Sequence, residues 1–167
     1  MKRIALILLC ICSLSAVSSF AADLADVGKH PSCKYCGMDR GKFAHSRVLI
    51  EYDDGTSSGA CSLHCAAIDL ANNIDRTPGR IAVADYYGKE LIDAEKALWV
   101  LGGGQPGVMT AQAKWAFRDK PAADRFIREN GGAAAGFDQA MRAAYNDMYS
   151  DTKQIRERRK MKRSKTP

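Results

Sequence analysis

The chain has 167 residues, of which 46% are hydrophobic and 26% charged, with six cysteines and a formal net charge of +6. At this length a single domain buries enough apolar surface to fold without obligatory cross-links, so the cysteines are not explained by stability alone. The positive charge is local: from Thr152 onward there are 8 basic residues and 1 acidic one, and without that tail and the leader 15 basic face 18 acidic, which excludes a nucleic-acid-binding domain as the source of the imbalance.

The chain opens with Lys2 and Arg3, an apolar run from Ile4 to Phe20, and small residues at Ser19 and Ala21. This is the pattern of a secretory signal peptide, residues 1–21, cut after Ala21. The expected location is the periplasm, with residues 22–151 as the folded domain. Export into an oxidising compartment turns a bare cysteine pair into a disulfide unless a metal or a reductase protects it.

Next comes Cys33-Lys34-Tyr35-Cys36-Gly37-Met38, and after a gap of 22 residues Cys61-Ser62-Leu63-His64-Cys65. Thiolate, thioether and imidazole select soft metal ions, with Cu(I) ahead of zinc when a methionine takes part. Gly37 lets the backbone turn sharply between two sulfur-bearing residues. Between the clusters, residues 47–52 form a β-branched and aromatic run, Asp53-Asp54-Gly55 is a hairpin turn signal, and residues 56–60 make the return strand. Ser62 is placed to cap a helix through Ala71, stopped at Asn72-Asn73, which puts Cys61 and Cys65 on one face with His64 at its edge. Residues 80–87 supply a further strand.

The second half repeats the order. Residues 97–101 form a strand, Gly102 to Gly107 a glycine-rich bend leading past Met109, and residues 113–117 a strand. Lys120-Pro121 opens a helix ended by Asn130-Gly131-Gly132, residues 133–137 form a weak strand, and Asp138 is placed to cap a final helix. The fold class is therefore α+β: tandem ββαβ half-units, about 33–92 and 95–140, packed into one domain plus a C-terminal helix. Met141 and Met148 fall at helical spacing and read as core. Residues 152–167 read as a frayed, disordered basic tail, either solubilising or attracted to an anionic membrane surface or acidic partner.

Three readings of the sulfur clusters stay open. In the first, Cu(I) is bound without catalysis. In the second, Cys33, Cys36, Cys61 and Cys65 close a structural zinc tetrahedron. In the third, Cys33 and Cys36 serve a thiol-disulfide oxidoreductase, which normally needs a helix just after the pair, and Gly37 with Asp39-Arg40-Gly41-Lys42 argues against one. The sequence carries no phosphate loop after a strand, no nucleophile elbow and no HExxH, so the expectation is not an enzyme.

Cys-x-x-Cys-Gly-Met at 33–38, Tyr-Asp-Asp-Gly at 52–55, Gly-x-Pro-Gly-x-Met at 104–109, Ala116-Phe117 and Glu-Asn-Gly-Gly at 129–132 together resemble the NosL family, copper-binding accessory proteins of nitrous oxide reductase assembly. The resemblance spans nearly all of residues 33–140. It implies a tandem ββαβ fold, Cu(I) held by Cys36, Met38 and Met109, and delivery to an exported apo-cuproenzyme, nitrous oxide reductase or another. Relatives are commonly lipoproteins, which this leader does not indicate, and Cys61, His64 and Cys65 add to the minimal motif. The full candidate ligand set is Cys33, Cys36, Met38, Cys61, His64, Cys65 and Met109.

Overall fold

A computed structural model describes residues 24–164. The expected leader, residues 1–21, lies outside them. Eleven elements follow in chain order: α1 (Ala25–Lys29), β1 (Val48–Tyr52), β2 (Ser57–Ala60), α2 (Leu63–Asn72), β3 (Pro78–Ala84), β4 (Leu91–Asp93), β5 (Leu98–Leu101), β6 (Lys114–Phe117), α3 (Lys120–Asn130), β7 (Ala133–Ala135) and α4 (Phe137–Ser164). The strands form two antiparallel sheets, ordered β2-β1-β3-β4 and β6-β5-β7. The α+β class and the repeated ββαβ order are both present, with β4 added as an edge strand and α4 at the end.

Alternation in β1 explains how the first sheet meets its helix. Val48, Ile50 and Tyr52 are buried on one face, against Ala66 and Ala67 of α2, which are also buried. The turn between β1 and β2 forms as its residues dictate: Gly55 stands at φ +80° and donates its N–H to the Tyr52 carbonyl at 3.0 Å, and Arg76 grips the Asp54 carboxylate with a fork of bonds at 2.9–3.1 Å. The paired aspartates therefore serve the turn. In α3, Asp119 caps by accepting from Ala122 N at 2.9 Å, and Gly131, at φ +74°, ends the helix.

Several boundaries differ from the sequence expectation, each for a local reason. β3 begins two residues early and ends at Ala84 instead of Tyr87, because the Asp85 carboxylate takes the N–H groups of Gly88 (2.6 Å) and Arg118 (2.9 Å) and turns the chain. Gly136, not Asp138, occupies the cap of α4: its carbonyl accepts from Ala140 N at 3.0 Å, while Gln139 reaches back to its N–H at 2.9 Å. The expected frayed tail from Thr152 is corrected, since α4 continues to Ser164. Its Lys, Arg, Gln, Glu and Met residues are strong helix formers, and Arg158 bonds to Gln154 one turn back at 3.4 Å.

The two halves meet where residue 85 pairs with residue 116 in a parallel bridge and Tyr86 donates its N–H to the Ala116 carbonyl at 2.9 Å. Around that seam Tyr86 touches Trp115, Phe117 and Phe126, with ring centroids 5.1, 5.7 and 4.9 Å away. Helix α4 lies along α2, burying Ala140 and Ala144 and donating the Tyr145 hydroxyl to the Ala67 carbonyl at 3.2 Å. No helix among the described residues is long and apolar enough to cross a membrane.

A buried ion cluster pins the N-terminal segment to this frame. Arg40 and Arg47 are both wholly buried, and each reaches the Asp26 carboxylate of α1, at 2.6 and 3.0 Å. Every arm of the Arg40 guanidinium is used. Nε donates to the carbonyl of Ala60 (3.1 Å), Nη1 to those of Asp26 (3.1 Å) and His30 (2.7 Å), and Nη2 to that of Val48 (3.0 Å) as well as to the carboxylate. The bond to Ala60 fixes the backbone immediately before Cys61.

Candidate metal centre

The first cysteine cluster is a closed loop. Cys33 N donates to the Met38 carbonyl at 2.8 Å, Gly37 N donates to the Cys33 carbonyl at 2.9 Å, and residues 32 and 39 pair across its neck. Gly37 stands at φ +75°, where a Cβ would strain the backbone, so the glycine is what allows so tight a loop. No helix follows Cys36; the chain turns until β1 begins at Val48. The helix N-terminus that would activate a redox pair is thus lacking here.

The second cluster sits where α2 begins. Ser62 holds the cap position in extended backbone, and its carbonyl accepts from Ala66 N at 3.0 Å. Cys61 therefore stands just before the helix, not on it as the sequence reading had it. Its sulfur still comes within 3.8 Å of the Cys65 sulfur, because the extended step at Ser62 folds residue 61 back over the first turn.

Loop and helix end converge. The sulfurs of Cys33, Cys36, Cys61 and Cys65 all lie within 4.8 Å of one another, Cys36 and Cys61 at 3.4 Å, and all four cysteines are free. Metal–sulfur bonds of about 2.3 Å place the corners of a tetrahedron about 3.8 Å apart, so the cage has the size to hold one ion. Cys33, Cys61 and Cys65 are buried and only Cys36 is partly exposed. Any ion enters or leaves past that corner.

The thiols share protons unequally. Hydrogen bonds from Cys36, Cys61 and Cys65 hold Cys33 far below the usual thiol range. Cys36 is raised by Cys33 but lowered more by Cys61 and Cys65, ending at about 7. Cys33, then Cys36, pushes Cys61 and Cys65 up. A cation entering the cage would displace the protons that the sulfurs retain.

Asp69 positions the cage, and the sequence reading missed it. This wholly buried carboxylate on α2, one turn after Cys65, accepts from the hydroxyls of Tyr35, Tyr52 (2.6 Å) and Ser58 (2.9 Å) and faces Lys34 at 3.5 Å. Tyr35 and Lys34 belong to the Cys33–Cys36 loop, so Asp69 clasps that loop to the helix bearing Cys65. An acidic residue inside the apolar run Ala66-Ala67-Ile68-Asp69-Leu70 was the signal available.

Burial opposes the charge of Asp69, but the hydroxyls of Tyr35, Tyr52 and Ser58 outweigh it and hold the carboxyl below its ordinary range. A depressed carboxyl contributes stability above the unfolded pKa, about 3.9, and loses it as pH falls through the folded value. Asp69→Asn is accordingly expected to cost about 1–3 kcal/mol at pH 7 and progressively less toward pH 3 in urea denaturation. An equal loss at both pH values would contradict the clasp.

Met38 and Met109 both pack against the core that contains the buried cysteines. They meet in a neighbouring cleft of about 230 Å³, lined also by Phe43, Val108, Asp151 and Ile155, and by none of the four cysteines. Met109 stands at φ +61°, a conformation that costs a non-glycine residue about 1–3 kcal/mol and is retained where side-chain placement matters.

His64 lies between cage and cleft. It follows the helix cap, adjoins Cys65, and is buried with Nδ1 3.3 Å from Oδ2 of Asp151 on α4. The two atoms face each other at a long hydrogen-bonding distance. Burial lowers the His64 pKa, more than the Asp151 charge raises it. The other histidines serve elsewhere: His30 meets the Ser57 hydroxyl at 2.9 Å, and His45 packs 5.5 Å from the Trp115 ring.

The family model described as NosL matches residues 24–145. A crystal structure described as the copper chaperone NosL from Shewanella denitrificans is similar in fold, with a TM-score of 0.51 and 22% identity, covering 64% of this chain and 87% of that one. No curated protein matches the chain.

Proposed function

The chain belongs to the NosL family, and from that premise we propose that it is an exported copper chaperone, binding Cu(I) through sulfur and releasing it to a periplasmic apo-cuproenzyme, nitrous oxide reductase or another. The convergence of four free cysteine sulfurs within 4.8 Å carries this reading. A solved protein of similar fold bears the description of a copper chaperone, which supports copper over other soft ions. Export rests on the pattern of residues 1–21, and the metal-binding unit is residues 22–151.

The chemistry suits carriage more than catalysis. Thiolates supply affinity and neutralise the ion, while the thioethers of Met38 and Met109 stay neutral, resist protonation and exchange readily. Cys36 is the natural point of transfer, because it is the one partly exposed corner of the cage. An incoming ligand from the recipient would attack there, and copper would leave by successive exchange of sulfur donors without changing its oxidation state.

A second reading has its own observation. Sulfur separations of 3.4 and 3.8 Å also fit a closed zinc tetrahedron, in which the ion would be structural and Met38 idle. Anaerobic titration of the exported protein with Cu(I) against bicinchoninate, repeated with Zn(II) present, separates the two. The expected result is Cu(I) withheld from the chelator by the wild type and surrendered by Cys36→Ser. Binding of zinc alone, with Cu(I) left on the chelator, would overturn the chaperone reading.

A further inference from the structure

We propose that the basic end of α4 docks the chain on a bilayer surface rich in anionic phospholipid, through one stripe of cations: Lys153, Arg156, Arg159, Lys160 and Arg163. The inference goes beyond copper carriage and stands independently of it.

The stripe follows from helical spacing. Counted from Tyr149, the positions i+4, i+7, i+11 and i+14 are Lys153, Arg156, Lys160 and Arg163, and Arg159 stands one turn before Arg163 at their edge. The opposite face belongs to the domain: Asp151, Gln154, Ile155 and Arg158, at i, i+3, i+4 and i+7, line the cleft that holds Met38 and Phe43. Beyond Ile155 the helix leaves the body. Every residue from Arg156 to Ser164, about 13 Å of helix, is exposed.

Among the described residues nothing answers this charge. Lys96, Lys114, Lys120 and Arg125 each sit beside a carboxylate at 2.7–3.2 Å, whereas no described carboxylate pairs with any cation of the stripe. Glu157 is the only acidic residue from Thr152 onward. Arg156 with Lys160, and Arg159 with Arg163, are instead like charges four residues apart, which repel. A layer of negative headgroups along the stripe converts that repulsion into attraction.

The chemistry of the stripe selects its occupant. A protein groove that takes a helix needs apolar anchors at helical spacing on the docking face, and after Tyr149 the stripe offers none. An anionic bilayer needs only spaced cations on flexible stems and an amphipathic ring at headgroup level, and Tyr149 heads the stripe at 80% exposure. Docked in this way, the chain turns the Met38 side of α4 away from the bilayer and toward solvent.

The test is co-sedimentation of residues 22–167, which keep the whole described fold and omit the apolar run 4–20, with vesicles of two compositions. One is phosphatidylcholine alone, the other phosphatidylcholine and phosphatidylglycerol in equal parts. Binding is expected to the second only, and to fade as ionic strength approaches about 1 M, where the screening length falls to about 3 Å. Each surface cation is worth roughly fivefold in affinity, so Arg156→Gln/Lys160→Gln should weaken binding about 25-fold. Arg158→Gln/Lys162→Gln removes the same charge from the other side of the helix and should change it less than about threefold, with circular dichroism showing both variants folded. Equal losses in the two variants, equal binding to the two vesicles, or binding to neither would overturn the proposal. Capture by polyglutamate in place of anionic vesicles would overturn it too, and would assign the stripe to an acidic protein. Cu(I) titration of the same variants reads the chaperone function separately, so either conclusion can fail without the other.

Discussion

Changing Cys65 to serine is expected to lower Cu(I) affinity by two to three orders of magnitude while leaving the fold intact. Cys65 is wholly buried at the start of α2, and its sulfur lies 3.8 Å from that of Cys61. Closed four-ligand sites of this kind bind with about 10–16 kcal/mol, so one of four sulfurs accounts for roughly 3–4 kcal/mol, or two to three decades in affinity. Serine preserves the shape of the side chain but offers a hard, protonated oxygen that Cu(I) does not favour. Competition titration reads the affinity, and thermal melting of the metal-free protein checks that the fold is retained. A loss under about threefold would place the ion elsewhere.

Asp26→Ala is expected to be the most damaging substitution far from any sulfur. It would leave Arg40 and Arg47, both wholly buried, without the one carboxylate they share at 2.6 and 3.0 Å. Removing one partner of a buried ion cluster costs about 3–5 kcal/mol, because the desolvated charges remain. That is a large part of the roughly 5–15 kcal/mol that holds a typical domain together. Urea denaturation of the metal-free protein measures it directly. A second effect should accompany the first: Arg40 holds the Ala60 carbonyl at 3.1 Å, so loosening it frees the backbone before Cys61 and lowers metal affinity as well. A stability change under about 1 kcal/mol would show that the cluster is dispensable.

The role of Asp26 also shows where sequence reasoning stops. Arg40 sits in a charged, glycine-containing stretch that reads as solvated, and nothing local indicates that it is wholly buried. Its partner lies 14 residues away on a five-residue helix too short to announce itself by periodicity. Strands and turns fared differently. Val48–Tyr52, the Asp53-Asp54-Gly55 turn and α3 with its Gly131 end were legible because β-branched runs, turn residues and caps act over a few positions. Strand β4 was not, since three residues at a sheet edge owe their state to pairing with β3.

The metal centre divides the same way. Its cysteines were visible from their spacing, whereas Asp69 and Asp151 were not assigned to it. Asp69 gains its meaning only when the hydroxyls of Tyr35, Tyr52 and Ser58, each more than ten residues away, arrive around it. Asp151 was read as the last residue before a frayed tail, yet α4 continues through it and brings it to His64. Met38 and Met109 were expected beside Cys36, and both line one cleft together with Phe43, Val108 and Ile155.

Copper K-edge X-ray absorption on the protein loaded anaerobically with one equivalent of Cu(I) tests the account at its centre. The cage predicts a first shell of sulfur alone at about 2.3 Å, the distance set by thiolate ligation, unchanged in Met38→Leu/Met109→Leu and reduced in sulfur coordination number in Cys33→Ser/Cys65→Ser. A first shell dominated by nitrogen or oxygen, or a sulfur coordination number unchanged when Cys33 and Cys65 are both replaced, would contradict it.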